Sequence, residues 1–396
     1  NEERPAARPF RTTPIYDILD NMGAVWGQQY GLEVPNYFAL KGQPRYEQPS
    51  FKRSNAWEAT AQEVRAVREG VGINEVQNFG KFRVTGTGAR AWLDRMMAGN
   101  IPKPGRLSLT PMLSPKGRIL GDFTVTCLSE VEFRITGSYG AQDQHLRWFQ
   151  QHLVDDVCIE NISDTTTGFQ IAGPLARDLL ASVTRADVSP EAFKFMDAKR
   201  MTIGMADCLV QRVSYTGDLG FEIFTDFMSQ RSLWHTLWAA GQSMGLRPFG
   251  MRAMMSLRLD KLFGSWAREF SPDYMPGETG IDRFIRWNKP SDWVGKAAAL
   301  AEKAAGPKRR QVAFVVDAVD ADVVAYEPVW IGESVVGFCT SGGYSHWTGQ
   351  SIAIAFVPVE HIKPGLVVNI EILGKRCAAR MVDGPLWDAD GARMRG

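Results

Sequence analysis

Apolar and polar residues alternate with a period of two in many short stretches of this chain, and that pattern predicts β-strands. Between these stretches, apolar residues recur at helical spacing over 57–69, 88–97, 141–153 and 229–244. Paired strands followed by helices indicate an α+β fold of antiparallel sheets rather than a parallel doubly wound sheet. No Gly-x-Gly-x-x-Gly follows an early strand, so the sequence does not predict a dinucleotide-binding fold.

The same pattern divides the chain into three parts. Residues 1–50 are rich in proline and are predicted to be an irregular, linker-like segment, except for a short helix at 15–22. Residues 51–305 are predicted to form the main domain, with two sub-lobes. A helix rich in alanine and lysine and then Pro307 mark the next boundary, and 306–396 is predicted to be a C-terminal β-barrel or jelly-roll domain.

Residues 212–223 combine strand alternation with glycines, and they predict a strand, a tight turn and a second strand. Gly217 and Gly220 supply the backbone freedom that such a turn needs. Tyr215 and Glu222 would then flank one bend. A phenol and a carboxylate in that arrangement can hold a flat heterocycle with a polar edge.

Composition narrows the class of protein. The chain has 396 residues, 44% apolar and 22% charged, with a net charge of +1, which gives no electrostatic case for nucleic acid or an anionic membrane. No run of about 18 apolar residues predicts a membrane span. The five cysteines are widely spaced without a C-x-x-C pair, which argues for a reducing compartment and against a zinc site. We therefore expect no metal and a cytoplasmic location, or the mitochondrial matrix in a eukaryote.

Seven short segments carry a further pattern: 11–16 (RTTPIY), 27–38 (GQQYGLEVPNYF), 79–84 (FGKFRV), 115–125 (PKGRILGDFTV), 215–222 (YTGDLGFE), 340–346 (TSGGYSH) and 385–388 (PLWD). In this order they resemble the aminomethyltransferase (glycine cleavage T-protein) family. Within that family they are most similar to the C-terminal, tetrahydrofolate-binding half of the dimethylglycine and sarcosine dehydrogenases. Each segment is short, but together they span nearly the whole chain.

The resemblance implies a folate-binding fold of antiparallel sheets and helices with a C-terminal barrel, and tetrahydrofolate as cofactor. It implies transfer of a methyl or methylene group from a small methylated substrate to folate N5. The dehydrogenases of this type also carry a flavin domain, which this sequence lacks, and the chain begins with Asn rather than Met. We therefore expect either a piece of a larger flavin enzyme, or a partner of one, or a demethylase that works alone. The alternative outside the enzymes is a non-catalytic folate-binding regulator on the same scaffold.

Three residues are the main candidates for the chemistry. Asp122 lies in a predicted strand among apolar residues, where desolvation would raise its pKa, and the resemblance places it beside the reactive folate nitrogens. Glu222 would accept two parallel hydrogen bonds from the pterin edge. Tyr215 would donate a hydrogen bond near the one-carbon centre or form a wall of the pocket. The alternatives are a strand-end aspartate bonded to turn amides, a solvent-facing carboxylate and a core tyrosine.

The resemblance also implies weaker candidates and some departures. Asn100 corresponds to a position near the ligand, and Trp266 is a candidate stacking wall. Four arginines lie in the segment 252–283: Arg252, Arg258, Arg268 and Arg283. A cation in this segment could bind a carboxylate of folate or of the substrate, and Arg252 is the candidate for folate. The chain departs from the family's usual residues in segments expected to border the substrate, at Pro111, Arg118, Phe263, Gly264 and Thr279. We therefore expect folate use to be retained and the one-carbon donor to differ.

Overall fold

Two β-sheets lie face to face in the main part of the protein, and helices cover their outer faces. The computed structural model describes residues 6–396, so the first five residues of the segment predicted to be irregular lie outside the described part. The strands are β1 (Ala24–Gln29), β2 (Leu32–Phe38), β3 (Gly72–Glu75), β4 (Phe79–Thr85), β5 (Arg106–Leu113), β6 (Ile119–Ser129), β7 (Glu132–Ser138), β8 (Cys158–Asn161), β9 (Thr166–Ala172), β10 (Ala198–Ile203), β11 (Ala206–Gln211), β12 (Gly220–Asp226), β13 (Arg247–Pro248), β14 (Arg309–Val316), β15 (Pro328–Ile331), β16 (Ser334–Ser345), β17 (Gln350–Pro358), β18 (Val367–Ile372) and β19 (Lys375–Val382). The α-helices are α1 (Tyr16–Asn21), α2 (Trp57–Glu69), α3 (Ala89–Met96), α4 (Gln142–Gln151), α5 (Ala176–Val183), α6 (Gln230–Gly241), α7 (Met251–Asp260), α8 (Pro276–Thr279), α9 (Lys296–Ala305) and α10 (Ala392–Arg395).

The first sheet is antiparallel, in the order β5-β6-β7-β4-β8. Its outer face is apolar, because alternate residues such as Phe82 and Val125 pack under α3 and α4. Each fully buried side chain of this kind contributes about 1.5–3 kcal/mol. The other residues of each strand, among them Lys81 and Asp122, therefore point to the inner face.

The second sheet has the order β10-β11-β12-β9-β3-β13 and is antiparallel except where β13 joins β3. Phe221 and Ile223 of β12 pack with α5 and α6 in the largest core of the main domain. Glu222 and Phe224 therefore face the other way, toward the first sheet. A small apolar cluster that includes Phe224 and Leu107 joins the two inner faces.

The C-terminal part is a closed barrel in the strand order β14-β17-β16-β15-β18-β19. This confirms the predicted α+β class with a C-terminal barrel, and it decides the choice between a barrel and a jelly roll. The alanine-rich helix α9 ends at Ala305, and the first barrel strand begins at Arg309. The predicted boundary at 305/306 falls between them.

The N-terminal segment is more regular than predicted. It contains the expected short helix, α1, but β1 and β2 then form a hairpin where we predicted irregular chain. We predicted irregular chain because the segment is rich in proline. Pro35 lies within β2, beside an irregularity in the pairing of β1 with β2, where its missing N–H is tolerated.

The predicted tight turn within 212–223 is wrong. Strand β11 ends at Gln211 and β12 begins at Gly220, so an eight-residue connection, 212–219, joins them. Tyr215 lies in this connection and not in a strand. The alternation of Val213 and Tyr215 suggested a strand. The backbone N–H groups of Thr216 and Asp218 instead donate to Ser214 Oγ and Thr216 Oγ1, and these hydrogen bonds hold a different path.

Candidate functional site

The candidate site lies between the two sheets, where polar side chains form a row on an inner face. Gln211, Glu222, Gln170 and Asn74 lie side by side on β11, β12, β9 and β3. All four are at most 8% exposed. The inner faces of stacked sheets usually form an apolar core. A continuous polar row in that position therefore indicates a place where a ligand or water takes up hydrogen bonds.

The row is only partly satisfied by the protein. Gln211 Nε2 donates to Thr126 Oγ1 of the facing sheet at 2.8 Å, and Gln170 Nε2 donates to Ser214 Oγ at 3.1 Å. Within residues 6–396, no group donates a hydrogen bond to the Glu222 carboxylate. Gln211 Oε1 is likewise buried without a partner in the described part of the chain. Buried acceptors left free in this way fit a ligand that presents N–H donors.

The charge state of Glu222 depends on two opposing effects. Burial raises the pKa of this carboxyl to about 7, because desolvation disfavours the charged form. The Lys81 ammonium, on the facing sheet, lowers the same pKa. At neutral pH the carboxylate is therefore close to its midpoint, and a ligand that donates to it would favour the ionised form.

Lys81 is a functional candidate that no sequence pattern singled out, although it lies in the segment 79–84. Its side chain is fully buried. The ammonium donates to Gln77 O at 3.3 Å and to Phe79 O at 3.1 Å. A strand lysine in a charged segment usually faces solvent, and only the packing of the second sheet over β4 buries this one. Lys81 lies between Gly80 and Phe82, as a solvent-facing strand residue often does. The local sequence pattern therefore did not distinguish a buried lysine from an exposed one.

Asp122 lies on β6, on the same inner face as Thr126, because every second residue of a strand faces the same side. It is partly exposed, yet desolvation raises its pKa to about 7, and the Glu269 carboxylate adds to the rise. Its own backbone N–H opposes the shift. Protein atoms therefore enclose most of this carboxyl and leave only part of its surface accessible. The sequence prediction of a raised pKa for Asp122 agrees with this.

Tyr215 reaches the same region from the 212–219 connection. Its hydroxyl donates to Gly264 O at 2.8 Å, and its ring lies 6.0 Å from that of Phe263 at an interplanar angle of 27°. Burial raises its pKa, and the charges of Asp122 and Glu269 add to the rise. Tyr215 and Asp122 are therefore electrostatic neighbours. Because the hydroxyl proton is engaged by Gly264, the ring is better suited to form a wall than to donate to a ligand.

Arg68 on α2 fixes the connection that carries Tyr215. Its fully buried guanidinium binds Thr216 O at 2.9 Å and forms ion pairs with Asp218 and, at 2.7 Å, with Asp260. Trp387, from the segment after the barrel, covers it with the ring centroid 3.6 Å from Arg68 Cζ. Breaking a buried pair of this kind costs about 3–5 kcal/mol, so the connection is rigidly held.

The segment that follows α7 contacts Tyr215 through Phe263 and Gly264 and continues the same wall. Arg258 is fully buried, forms an ion pair with Glu269 at 3.2 Å and donates to Ser341 Oγ of the barrel at 2.7 Å. Between these two charges the backbone is strained, because Leu262 and Ala267 adopt φ of 55° and 63°. Residues with a Cβ pay about 1–2 kcal/mol in that region. The segment is thus held in shape by the ion pair at both its ends.

Trp266 lies in this strained segment. Its ring meets His145 of α4 edge to face, with the centroids 5.3 Å apart, and His145 meets Phe123 in the same way at 4.8 Å. Desolvation lowers the pKa of His145 to about 4, so this imidazole is neutral at physiological pH. Trp266 therefore borders the strand that carries Asp122, on the side of Phe123.

The structure leaves the remaining cofactor-binding candidates further from these groups. Asn100 is exposed and accepts a hydrogen bond from Arg286 at 2.6 Å. Arg252 donates to Glu47 at 2.8 Å through Nε and is committed to that ion pair. Arg268 is exposed, influences Tyr215, and has no ion-pair partner among residues 6–396. Arg283 is also exposed and without an ion pair in the described part of the chain, and it stacks on Phe284. Of the four candidate arginines, Arg268 and Arg283 can therefore meet a ligand carboxylate.

The site holds carboxylates and amides without a metal-binding arrangement. In the part of the chain that the structure describes, no group of three His, Cys, Asp or Glu residues could hold a metal ion. No helix in that part is long and apolar enough to cross a bilayer. The groups present can bind a planar heterocycle through Glu222 and handle a proton through Asp122.

Comparison with known proteins gives matches along the whole chain. A family model described as the GCVT N-terminal domain matches residues 15–289, and one described as the glycine cleavage T-protein C-terminal barrel domain matches residues 309–388. The mitochondrial dimethylglycine dehydrogenase of Rattus norvegicus is 37% identical over 398 residues, which cover 100% of this chain and 46% of that protein. The aminomethyltransferase of Bacillus subtilis (strain 168) is 29% identical over 381 residues, which cover 96% of this chain and 99% of that protein.

A solved structure has the same fold. The glycine cleavage system aminomethyltransferase T from Bartonella henselae superposes with a TM-score of 0.84 over 96% of this chain and 99% of that one, at 22% identity. The chain therefore spans about half the length of the dehydrogenase relative and nearly the full length of the two aminomethyltransferases.

Proposed function

Because the chain belongs to the glycine cleavage T-protein (aminomethyltransferase) family, a family of folate-dependent one-carbon transferases, we propose that it transfers a methyl or methylene group from a small methylated substrate to N5 of tetrahydrofolate. The observation that carries this proposal is the Glu222 carboxylate. It is buried on an inner sheet face, lies in a polar row and receives no hydrogen bond from residues 6–396. Such a group fits the polar edge of a pterin.

In this proposal Glu222 binds the pterin edge. A carboxylate is an acceptor only, and it can take an amino N–H and a ring N–H as a bidentate pair. Gln170 and Gln211 extend the same row, and Gln211 Oε1 offers a further free acceptor. The wall formed by Tyr215 keeps water away from one face of the heterocycle.

Asp122 handles the proton in this proposal. Tetrahydrofolate, when bound, supplies the nucleophilic nitrogen that accepts the one-carbon unit. Asp122 has its pKa raised to about 7, so its carboxylate can take a proton and return it near neutral pH. It lies on the inner face opposite the sheet that carries Glu222. Most of the remaining contribution of the protein is to position two reactants and exclude water.

A second candidate is narrower and follows from the relatives. Identity is 37% to the dimethylglycine dehydrogenase, of which the chain covers 46%, against 29% to the Bacillus aminomethyltransferase. We therefore propose, as the alternative, that the chain is the folate-accepting half of a flavin-dependent N-methylamine dehydrogenase, with a flavin domain or subunit as partner. In a eukaryote its location would then be the mitochondrial matrix, and the Rattus relative is named as a mitochondrial protein. Turnover of dimethylglycine or sarcosine that needs an added flavin dehydrogenase would support it, and unassisted turnover would contradict it.

Calorimetric titration with tetrahydrofolate tests the pterin assignment. Glu222→Gln replaces one acceptor oxygen by a donor, and we expect affinity to fall at least tenfold, because a charge-assisted hydrogen bond contributes about 1.5–3 kcal/mol. Glu75→Gln is the matched control. Glu75 is also a desolvated sheet carboxylate, but it faces α6, where Gln230 donates to it at 2.8 Å. Equal affinity in wild type and Glu222→Gln would contradict the proposal.

A further inference from the structure

Lys81 and Glu222 lie on facing sheets, and the packing brings their rows together. Cross-strand pairing aligns Lys81 with Thr136 of β7, and Arg134 is two residues before Thr136 on the same face. Arg134 Cζ lies 5.2 Å from the ring of Phe224, which is two residues after Glu222 on β12. The row that contains Lys81 therefore lies over the row that contains Glu222.

The surroundings of Lys81 leave part of its binding capacity unused. An ammonium has three N–H donors, and two of them are directed at Gln77 O and Phe79 O. Thr136 Oγ1, beside it, is buried without a partner in the described part of the chain. A fully buried cation with one donor to spare is costly unless a negative charge or an acceptor lies near.

Charged groups reach Lys81 from each element packed against it. Burial lowers the pKa of Lys81 to about 7, because desolvation disfavours the ammonium, and Arg134 of β7 lowers it as well. Asp164, after β8, and Glu222 of β12 oppose this shift and favour the ammonium. Asp164 is engaged elsewhere, in an ion pair with Arg11. Glu222 has no ion pair of this kind. Among residues 6–396, Lys81 is the one charged group that shifts the pKa of Glu222.

From this geometry we infer that Lys81 is a positioning residue for the pterin site: its ammonium, held over the row of Glu222, shifts that carboxyl toward the ionised form that the folate edge requires. This inference rests on the proposed function. Lys81 does not need to touch the ligand. It offsets the desolvation of Glu222, so that the carboxylate is ready to accept two N–H groups when the pterin enters.

The ligand-free protein gives the first test. Selective ¹³C labelling of glutamate carboxyl groups, with the Glu222 signal assigned through Glu222→Gln, would follow the titration of Glu222 by NMR. We expect Lys81→Met, which keeps the length of the side chain without its charge, to raise the pKa of Glu222, and Lys81→Arg to restore most of the wild-type value. An unchanged pKa in Lys81→Met would overturn the inference, whether or not folate binds.

Folate affinity as a function of pH gives the second test. In Lys81→Met we expect tetrahydrofolate affinity to fall about tenfold at pH 7, the equivalent of one pKa unit, and to recover as pH rises. The double variant with Glu222→Gln should bind no more weakly than Glu222→Gln alone. Equal losses at every pH, or additive losses in the double variant, would overturn the inference.

A lysine with the same anchorage serves as the control. Lys296, at the start of α9, donates to Lys289 O at 3.2 Å and Ser291 O at 3.1 Å and is not among the groups that shift the pKa of Glu222. Lys296→Met should leave the Glu222 titration and the pH dependence of folate affinity unchanged. If the wild type bound no folate at all, the proposed function would fail, and the NMR titration would still decide the role of Lys81.

Discussion

At the scale of single residues, the division of work between Asp122 and Glu222 follows from their positions on facing sheets. Both carboxyls have pKa values raised to about 7 by desolvation, but each has a different neighbour. Lys81 favours the charged form of Glu222, whereas Glu269 disfavours the charged form of Asp122. Glu222 is thus suited to bind as an anion, and Asp122 is suited to exchange a proton.

Asp122→Asn should separate binding from turnover. The amide keeps the shape of the side chain but cannot take a proton, so we expect one-carbon transfer to fall about 10²–10⁴-fold while tetrahydrofolate affinity stays within about threefold. Single-turnover rates and calorimetry on the same preparations would measure the two effects. Retained turnover would contradict the role assigned to Asp122, and retained binding without turnover would argue against a non-catalytic regulator.

The pH dependence of transfer should report the same group. If the carboxylate form of Asp122 is active, the wild-type rate rises with pH through about 7 and falls as pH drops below that value, because the raised pKa keeps the group protonated at lower pH. In Asp122→Asn the rate should no longer rise with pH in this range. Rates measured with saturating folate from pH 5.5 to 8.5 would show it, and an acid limb that persists in Asp122→Asn would assign the titration elsewhere.

Asp122 and Glu222 were nominated by the family resemblance, and their alternation with apolar neighbours added only that each lies on a strand whose other face is buried. The sequence could not show which face was inward for Glu222, because helices cover the outer face of the sheet and a second sheet covers the inner one. Lys81 was missed for the same reason. Lys81 is covered by a second sheet whose strands, from β3 to β13, come from widely separated parts of the chain, and no local pattern contains that packing.

At the scale of elements, the segment after α7 stores strain beside the site. Leu262 and Ala267 occupy left-handed backbone conformations, and the Arg258–Glu269 ion pair encloses them. Strained backbone of this kind is often part of how a site is shaped. No sequence pattern predicts this strain, because neither residue is glycine. The departures at Phe263 and Gly264 lie within this segment, and Gly264 O accepts the Tyr215 hydroxyl.

Ala267→Gly should stabilise the protein. Glycine adopts positive φ without steric cost, and the relief of about 1–2 kcal/mol exceeds the extra chain entropy of glycine, which costs roughly 0.4–1 kcal/mol. The same change at Ala301, in the interior of α9, should destabilise by about 1 kcal/mol because that residue is helical. Chemical denaturation of both variants measures the difference. A loss of stability in Ala267→Gly would show that the left-handed conformation is not strained.

At the scale of the whole molecule, the two sheets and the barrel are tied together at several points. The Arg53 guanidinium lies 4.0 Å from the ring centroid of Trp57 and 4.5 Å from that of Tyr344, and it pairs with Asp322 at 3.1 Å. Arg258 reaches Ser341 on β16. The barrel therefore supports the walls of the site. The strand pattern predicted the barrel itself, but these ties join residues that are far apart in sequence.

A polar interior between two sheets should cost stability in the absence of a ligand. The pKa of Glu222 is raised on folding, so the folded state holds its proton longer than the unfolded state, and stability falls as pH rises from about 4 to about 7. Glu222→Gln removes that loss, and we expect it to stabilise the ligand-free protein on the order of 2 kcal/mol at pH 8 and little at pH 4. Glu160→Gln, on the exposed edge strand β8, is the control.

Unfolding in urea at the two pH values would measure both variants. A Glu222→Gln variant less stable than wild type at pH 8 would mean that the carboxylate contributes to the fold rather than opposing it.

The placement of Trp387 over Arg68 has a consequence for synthesis on the ribosome. Arg68 emerges early, but its aromatic cover comes from a segment beyond the barrel, more than 300 residues later. The main domain can begin to fold as soon as its strands emerge. The ion pairs of Arg68 with Asp218 and Asp260 can form before the barrel is made, but Trp387 covers them only afterwards, so we expect the nascent chain to reach its full affinity for folate late in translation.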